Sequence, residues 1–117
     1  MSSNEKINYL EYPAVDLEAT KTFFTKTFNW EFTDYGPQYT AFENQSLDVG
    51  FYHADLASDA DTGSALSIFF SDDLESSEKK VINNGGAIIK PIFSFPGGRR
   101  FHFTEPSGNE FAVWSDK

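Results

Sequence analysis

Asp16-Leu17-Glu18 and Asp73-Leu74-Glu75 stand about half the chain apart, and each opens a helical pattern just after a strand-like run. Three shared letters constrain little, because Asp at a cap and Glu in a first turn are common helix starts. The order of elements around them constrains far more, since a repeated order of strands and helices restricts the chain to a pair of similar modules. In the first half, Ile7–Tyr12 mixes aromatic and β-branched residues and stops at Pro13, as a strand does. Asp16 then caps a helix running to about Asn29, with Phe24 and Phe28 at helical spacing. Trp30–Tyr35, Gln38–Glu43 and Leu47–Tyr52 read as strands, separated by turn signals at Gly36-Pro37 and Asn44–Ser46.

The second half repeats this order. Ala65–Ser71 is a strand, and Asp72-Asp73-Leu74-Glu75 opens a helix that ends at Asn84-Gly85-Gly86. Ala87–Lys90, extendable to Phe95, then Arg99–Thr104 and Asn109–Trp114 supply three strands, with turns at Pro96–Gly98 and Glu105–Gly108. The predicted order is therefore βαβββ twice: module one over about 6–53, an acidic small-residue linker over 54–64, and module two over about 65–115. A chain of 117 residues holds one such pair in a single domain.

Composition narrows the function. The core is aromatic, with 13 Phe, 5 Tyr and 2 Trp, and large flat side chains favour strands. A net charge of −9 repels both the phosphates of nucleic acid and an anionic membrane surface, so neither is expected as a partner. Cysteine is absent, which removes disulfides, thiolate zinc sites and cysteine nucleophiles. Two histidines exclude a multi-His metal site within one chain. The polar start Met1–Lys6, with no long apolar run behind it, leads to the expectation of a soluble cytoplasmic protein.

Three stretches carry a resemblance to a known family: Val15–Trp30, the Asp72–Gly86 helix, and Phe103–Phe111. The first is similar to the helix of the vicinal oxygen chelate superfamily (glyoxalase, bleomycin-resistance and extradiol dioxygenase proteins), with Phe24 where the family has Tyr and Asn29 where it has Gly. The third resembles the family hairpin D-P-x-G-N, with Glu105 in place of Asp. The resemblance implies an α+β fold in which two tandem βαβββ modules form a curved mixed-sheet half-barrel with the helices outside. It also implies a homodimer. In metal-dependent members, His or Glu side chains on inward strand positions hold one divalent ion. The resemblance puts those positions on Tyr9, on Leu66 or its neighbour Ser67, near Gly50, and on Ala112. None of these is His, Asp or Glu, and a divalent ion needs several such donors at about 2 Å. The expectation is a cup that works without metal or other cofactor.

Strand parity then sorts the candidate residues. In the last hairpin, Phe101, Phe103, Phe111 and Val113 share one face, while Arg100, His102, Glu110, Ala112 and Trp114 share the other. Pairing Thr104 with Glu110 sets His102 opposite Ala112 and Arg100 opposite Trp114. The same alternation turns Tyr9 and Glu11 inward. The expected pocket has an aromatic lining of Tyr9, Phe51 and Trp114, carboxylates at Glu11 or Glu110, His102 as a proton carrier, and Arg100 or Arg99 as the anchor of an anionic ligand. Each has a plainer reading: rim charges for Glu110 and Arg100, a cross-strand filler for His102, a structural hydrogen bond or interface contact for Glu11. Two functions remain open. One is a protein that binds a small metabolite or aromatic compound. The other is a lyase or isomerase of small oxygenated metabolites, metal-free or metal-dependent, with Glu11 or Glu110 as base and His102 or Arg100 stabilising an enolate.

Overall fold

The computed structural model describes residues 4–43 and 47–117. The turn expected at Asn44–Ser46 lies outside the described residues. The chain folds as β1 (Tyr9–Ala14), α1 (Leu17–Phe28), β2 (Phe32–Asp34), β3 (Tyr39–Phe42), β4 (Asp48–His53), β5 (Ser67–Phe70), α2 (Leu74–Asn83), β6 (Ala87–Phe95), β7 (Gly98–Thr104) and β8 (Glu110–Ser115). A single 3₁₀ turn, Ala60–Thr62, interrupts the linker. The repeat seen in the sequence is complete in the topology: one sheet has the order β1-β4-β3-β2 and the other β5-β8-β7-β6. In each, the first strand of the module pairs in parallel with the last, and the remaining pairs are antiparallel. The architecture is α+β, with two open four-stranded mixed sheets and two helices.

The helix limits follow from local chemistry. The Asp16 carboxylate accepts from the Ala19 N–H at 3.0 Å, and Asp73 accepts from the Ser76 N–H at 3.1 Å, so both copies of the shared letters act as N-caps. α1 stops because Asn29 takes a left-handed conformation, and its N–H returns to the carbonyls of Phe24 and Thr25. Trp30 then turns back to stack on Phe24 at 4.6 Å and on Phe42 at 4.4 Å. The strand expected from Trp30 therefore begins only at Phe32.

One face of each sheet meets α1. Phe24 stacks on Phe51 of the first sheet and stands edge-on to Phe111 of the second. Phe23 and Phe28 both reach Phe103, and Phe28 stacks on Phe69 at 4.4 Å. α2 adds Leu74 and Val81 to the same core. The opposite faces carry Tyr9 and Glu11 on the first sheet and Ile68, Phe70, Arg100 and Trp114 on the second.

A buried polar knot ties the modules together. Glu105 Oε1 accepts from the Thr20 hydroxyl of α1 at 2.6 Å and from the Ser107 N–H at 3.0 Å. Its other oxygen accepts from the Asn109 N–H and from Asn109 Nδ2. Asn109 Nδ2 also donates to the Pro13 carbonyl at 2.7 Å, and Asn109 Oδ1 accepts from the Ser58 N–H in the linker. One turn thus fixes α1, β1 and the linker against the second sheet.

Candidate functional site

The β7–β8 register is the one strand parity predicts: Thr104 opposite Glu110, His102 opposite Ala112, and Arg100 opposite Trp114. On that face the polar side chains form one continuous chain. Glu110 Oε1 accepts from the Ala60 N–H at 2.9 Å. That N–H is the first of the 3₁₀ turn, which Asp59 caps by accepting from Thr62 N–H. Glu110 Oε2 accepts from His102 Nδ1–H at 2.8 Å. His102 Nε2 in turn accepts from Arg100 Nε at 3.2 Å and Nη2 at 3.0 Å. Because an arginine only donates, Nε2 must be the acceptor, which fixes the neutral imidazole with its proton on Nδ1. Burial raises the Glu110 carboxyl, but the Ala60 N–H and the His102 ring outweigh it and hold the group below its ordinary value.

Glu110 and His102 are 5% and 4% exposed, so neither is a rim charge in water. Arg100 extends from this chain to lie over the rings of Phe93 and Phe95, 5.9 Å and 5.8 Å from their centroids. Beyond it opens a cavity of about 360 Å³ lined by Ile68, Phe95, Gly97, Arg100 and Trp114. Arg99, one residue earlier, points the other way and pairs bidentately with Glu75 of α2. The arginine on the cup face is therefore Arg100.

Tyr9 and Glu11 form a separate group on the first sheet. Tyr9 and Tyr39 share a hydrogen bond of 2.6 Å, and the Tyr39 hydroxyl donates to Glu11 Oε2 at 3.0 Å. Burial, followed by these two bonds, raises the Tyr39 hydroxyl far above the usual phenol range. The trio sits over Gly50, where a Cβ would collide with the Tyr39 and Tyr9 hydroxyls. Sequence reasoning missed Tyr39. A glycine inside a strand, the mark of another group's close approach, was the available signal.

The structure brings Glu110, His102, Arg100 and Trp114 together and gives Tyr9 and Glu11 different neighbours. One expectation needs correction. Phe51 does not line a pocket: it is 0% exposed and stacks against Tyr12 and Phe24 in the core. In the second module Ile68 pairs with Ala112 as Glu11 pairs with Gly50 in the first, so Leu66, two residues before Ile68, holds the place of Tyr9. Ser67 faces the other way, where its hydroxyl meets that of Tyr12.

A divalent cation does not fit the residues in these places. The four positions hold Tyr9, Gly50, Leu66 and Ala112, with no carboxylate or imidazole among them, and Glu11, paired with Gly50, already accepts from Tyr39. Among the described residues, no three His, Asp or Glu side chains gather closely enough to hold a metal ion.

Two tandem βαβββ modules with a polar and aromatic face on the second sheet define a glyoxalase-like fold, and sequence comparison agrees. The model of the glyoxalase/bleomycin resistance protein/dioxygenase superfamily matches residues 6–113, and the chain belongs to that superfamily. No curated protein matches it by sequence. Among solved structures, it is similar to a glyoxalase-related enzyme from Fulvimarina pelagi, with TM-score 0.80 and 14% identity over 95% of this chain and 88% of that one. A glyoxalase/bleomycin resistance protein/dioxygenase family enzyme from Burkholderia phytofirmans gives 0.76 and 16%, covering 94% and 98%. A lactoylglutathione lyase from Agrobacterium tumefaciens gives 0.72 and 19%, covering 97% and 96%. At these identities the likeness is one of fold.

Proposed function

We propose that this protein binds a small metabolite or aromatic compound on the cup face of its second sheet, without a metal ion. The observation that carries this reading is the chain Glu110–His102–Arg100, which ends at an aromatic-walled cavity. A mostly apolar pocket with a few convergent polar groups is the usual form of a ligand site. Ile68, Phe95 and Trp114 supply the apolar walls, and Arg100 supplies the polar group.

The alternative, a lyase or isomerase, needs a base with a free lone pair facing the substrate. Glu110 is buried with protein donors on both oxygens, and His102 Nε2 accepts from Arg100, so this hairpin is arranged to hold a group still, while Glu11, the other candidate base, lies on the first sheet. A homodimer is part of the proposal. Ile68, Phe70 and Phe93 leave an exposed apolar surface beside the cavity, which a second copy would cover.

Isothermal titration of chelator-treated protein against a panel of planar and small oxygenated metabolites tests this. At least one planar compound is expected to bind with the chelator present. Binding that appears only after a divalent metal is added would overturn the reading.

A further inference from the structure

Resting on that reading, we propose that the ligand is a carboxylate on a flat apolar body, and that Glu110 and His102 are positioning residues for the guanidinium that receives it. Arg100 has five N–H donors. Two, on Nε and Nη2, go to His102 Nε2, and the three that remain lie on Nη1 and Nη2, the end of the fork that takes both oxygens of a carboxylate. Among the described residues, no Asp or Glu pairs with Arg100, whereas the adjacent Arg99 is neutralised by Glu75. An arginine kept from acidic partners in a chain of net charge −9 is a reserved cation.

The imidazole explains how the guanidinium stays in place. A carboxylate in direct contact with Arg100 would satisfy its charge and compete with any ligand. Neutral His102 instead accepts two donors while adding no charge, and Glu110 fixes the tautomer that makes this possible. The rings of Phe93 and Phe95 lie along the guanidinium and limit its other orientations. Trp114, opposite Arg100 across the strand pair, and Ile68 and Phe95 around the cavity offer flat apolar contact to the body of the ligand. One guanidinium suits a single carboxylate. A phosphate ester, with more charge and more acceptor sites, would leave oxygens unmatched on these apolar walls.

The test is calorimetric titration of the intact protein with 1-naphthoate, 1-naphthamide and 1-naphthyl phosphate, in chelator and at fixed ionic strength. The wild type is expected to bind naphthoate about tenfold or more tighter than naphthamide. Naphthyl phosphate is expected to bind more weakly than naphthoate. In Arg100→Gln and Arg100→Lys the preference for naphthoate over naphthamide should shrink toward one, the lysine having no fork. In Glu110→Gln and His102→Phe the same ratio should fall severalfold while naphthamide still binds. A merely structural role for these two residues would weaken both compounds alike and leave the ratio intact, which would overturn the positioning assignment. Equal wild-type affinity for naphthoate and naphthamide, or tighter binding of the phosphate, would overturn the carboxylate inference and leave the binding function standing. Failure of all three compounds to bind would remove the binding site itself, and the inference with it.

Discussion

Glu105 shows how one side chain can hold an assembly together. It is 2% exposed and, among the described residues, has no basic partner, and its two oxygens accept four donors from Thr20, Ser107 and Asn109. Burial raises its carboxyl and the donors pull it down, with burial the larger effect, so the folded state favours the proton more than the unfolded chain does. The group's contribution is thus complete below the ordinary carboxylate range and is lost as pH rises through the raised folded value. Glu105→Gln removes this titration and turns an amide N–H₂ toward donors of Asn109. The variant should lose about 1–3 kcal/mol of stability. In urea denaturation, the wild type's advantage over it should shrink between about pH 4 and about pH 7. An advantage that grew over that range would contradict the assignment. The sequence shows Glu105 as a longer residue in the place of an Asp, but the reach of that extra methylene to Thr20 is a tertiary fact.

Strand parity made most of the second sheet legible. Alternation in Arg99–Thr104 and Glu110–Trp114 gave the correct faces and the correct cross-strand partners, because one face is wholly apolar and a slip by one residue would expose it. The first sheet was read less well, and Phe51 shows why. Neighbouring strand residues face opposite ways, so Gly50 on the cup face already sends Phe51 into the core. Tyr39 was out of reach for another reason: β3 reaches β1 only across β4, and sheet order is not encoded in local pattern. Composition reads the linker as a connection outside the core, and none of its residues is buried, but composition does not show that Ala60 and Ser58 bond the start of β8. Gly50→Ala tests the packing of the first sheet. The added Cβ must push the Tyr39 and Tyr9 hydroxyls aside, at an expected cost of about 1–3 kcal/mol. The cost should be smaller in a Tyr39→Phe background, as measured by a double-mutant cycle in urea. Equal costs in both backgrounds would show that the phenols do not rest on this glycine.

Across the whole molecule, duplication explains the architecture but not the chemistry. Both modules cap their helices with Asp and pair first strand to last in parallel, and α1 serves as shared core for both sheets. The two cup faces nevertheless differ: the first carries hydroxyls and a carboxylate, the second an arginine among aromatic rings. The proposed function rests on that second face. Two-dimensional ¹H–¹⁵N spectra of the protein titrated with 1-naphthoate in chelator test this most directly, because Arg100 Nε–H and the Trp114 indole N–H each give a resolved signal. The largest shifts should fall on those two groups and on the backbone of β5, β7 and β8 beside them. Shifts centred on Tyr9, Glu11 and Gly50, or shifts that require added metal, would contradict the account.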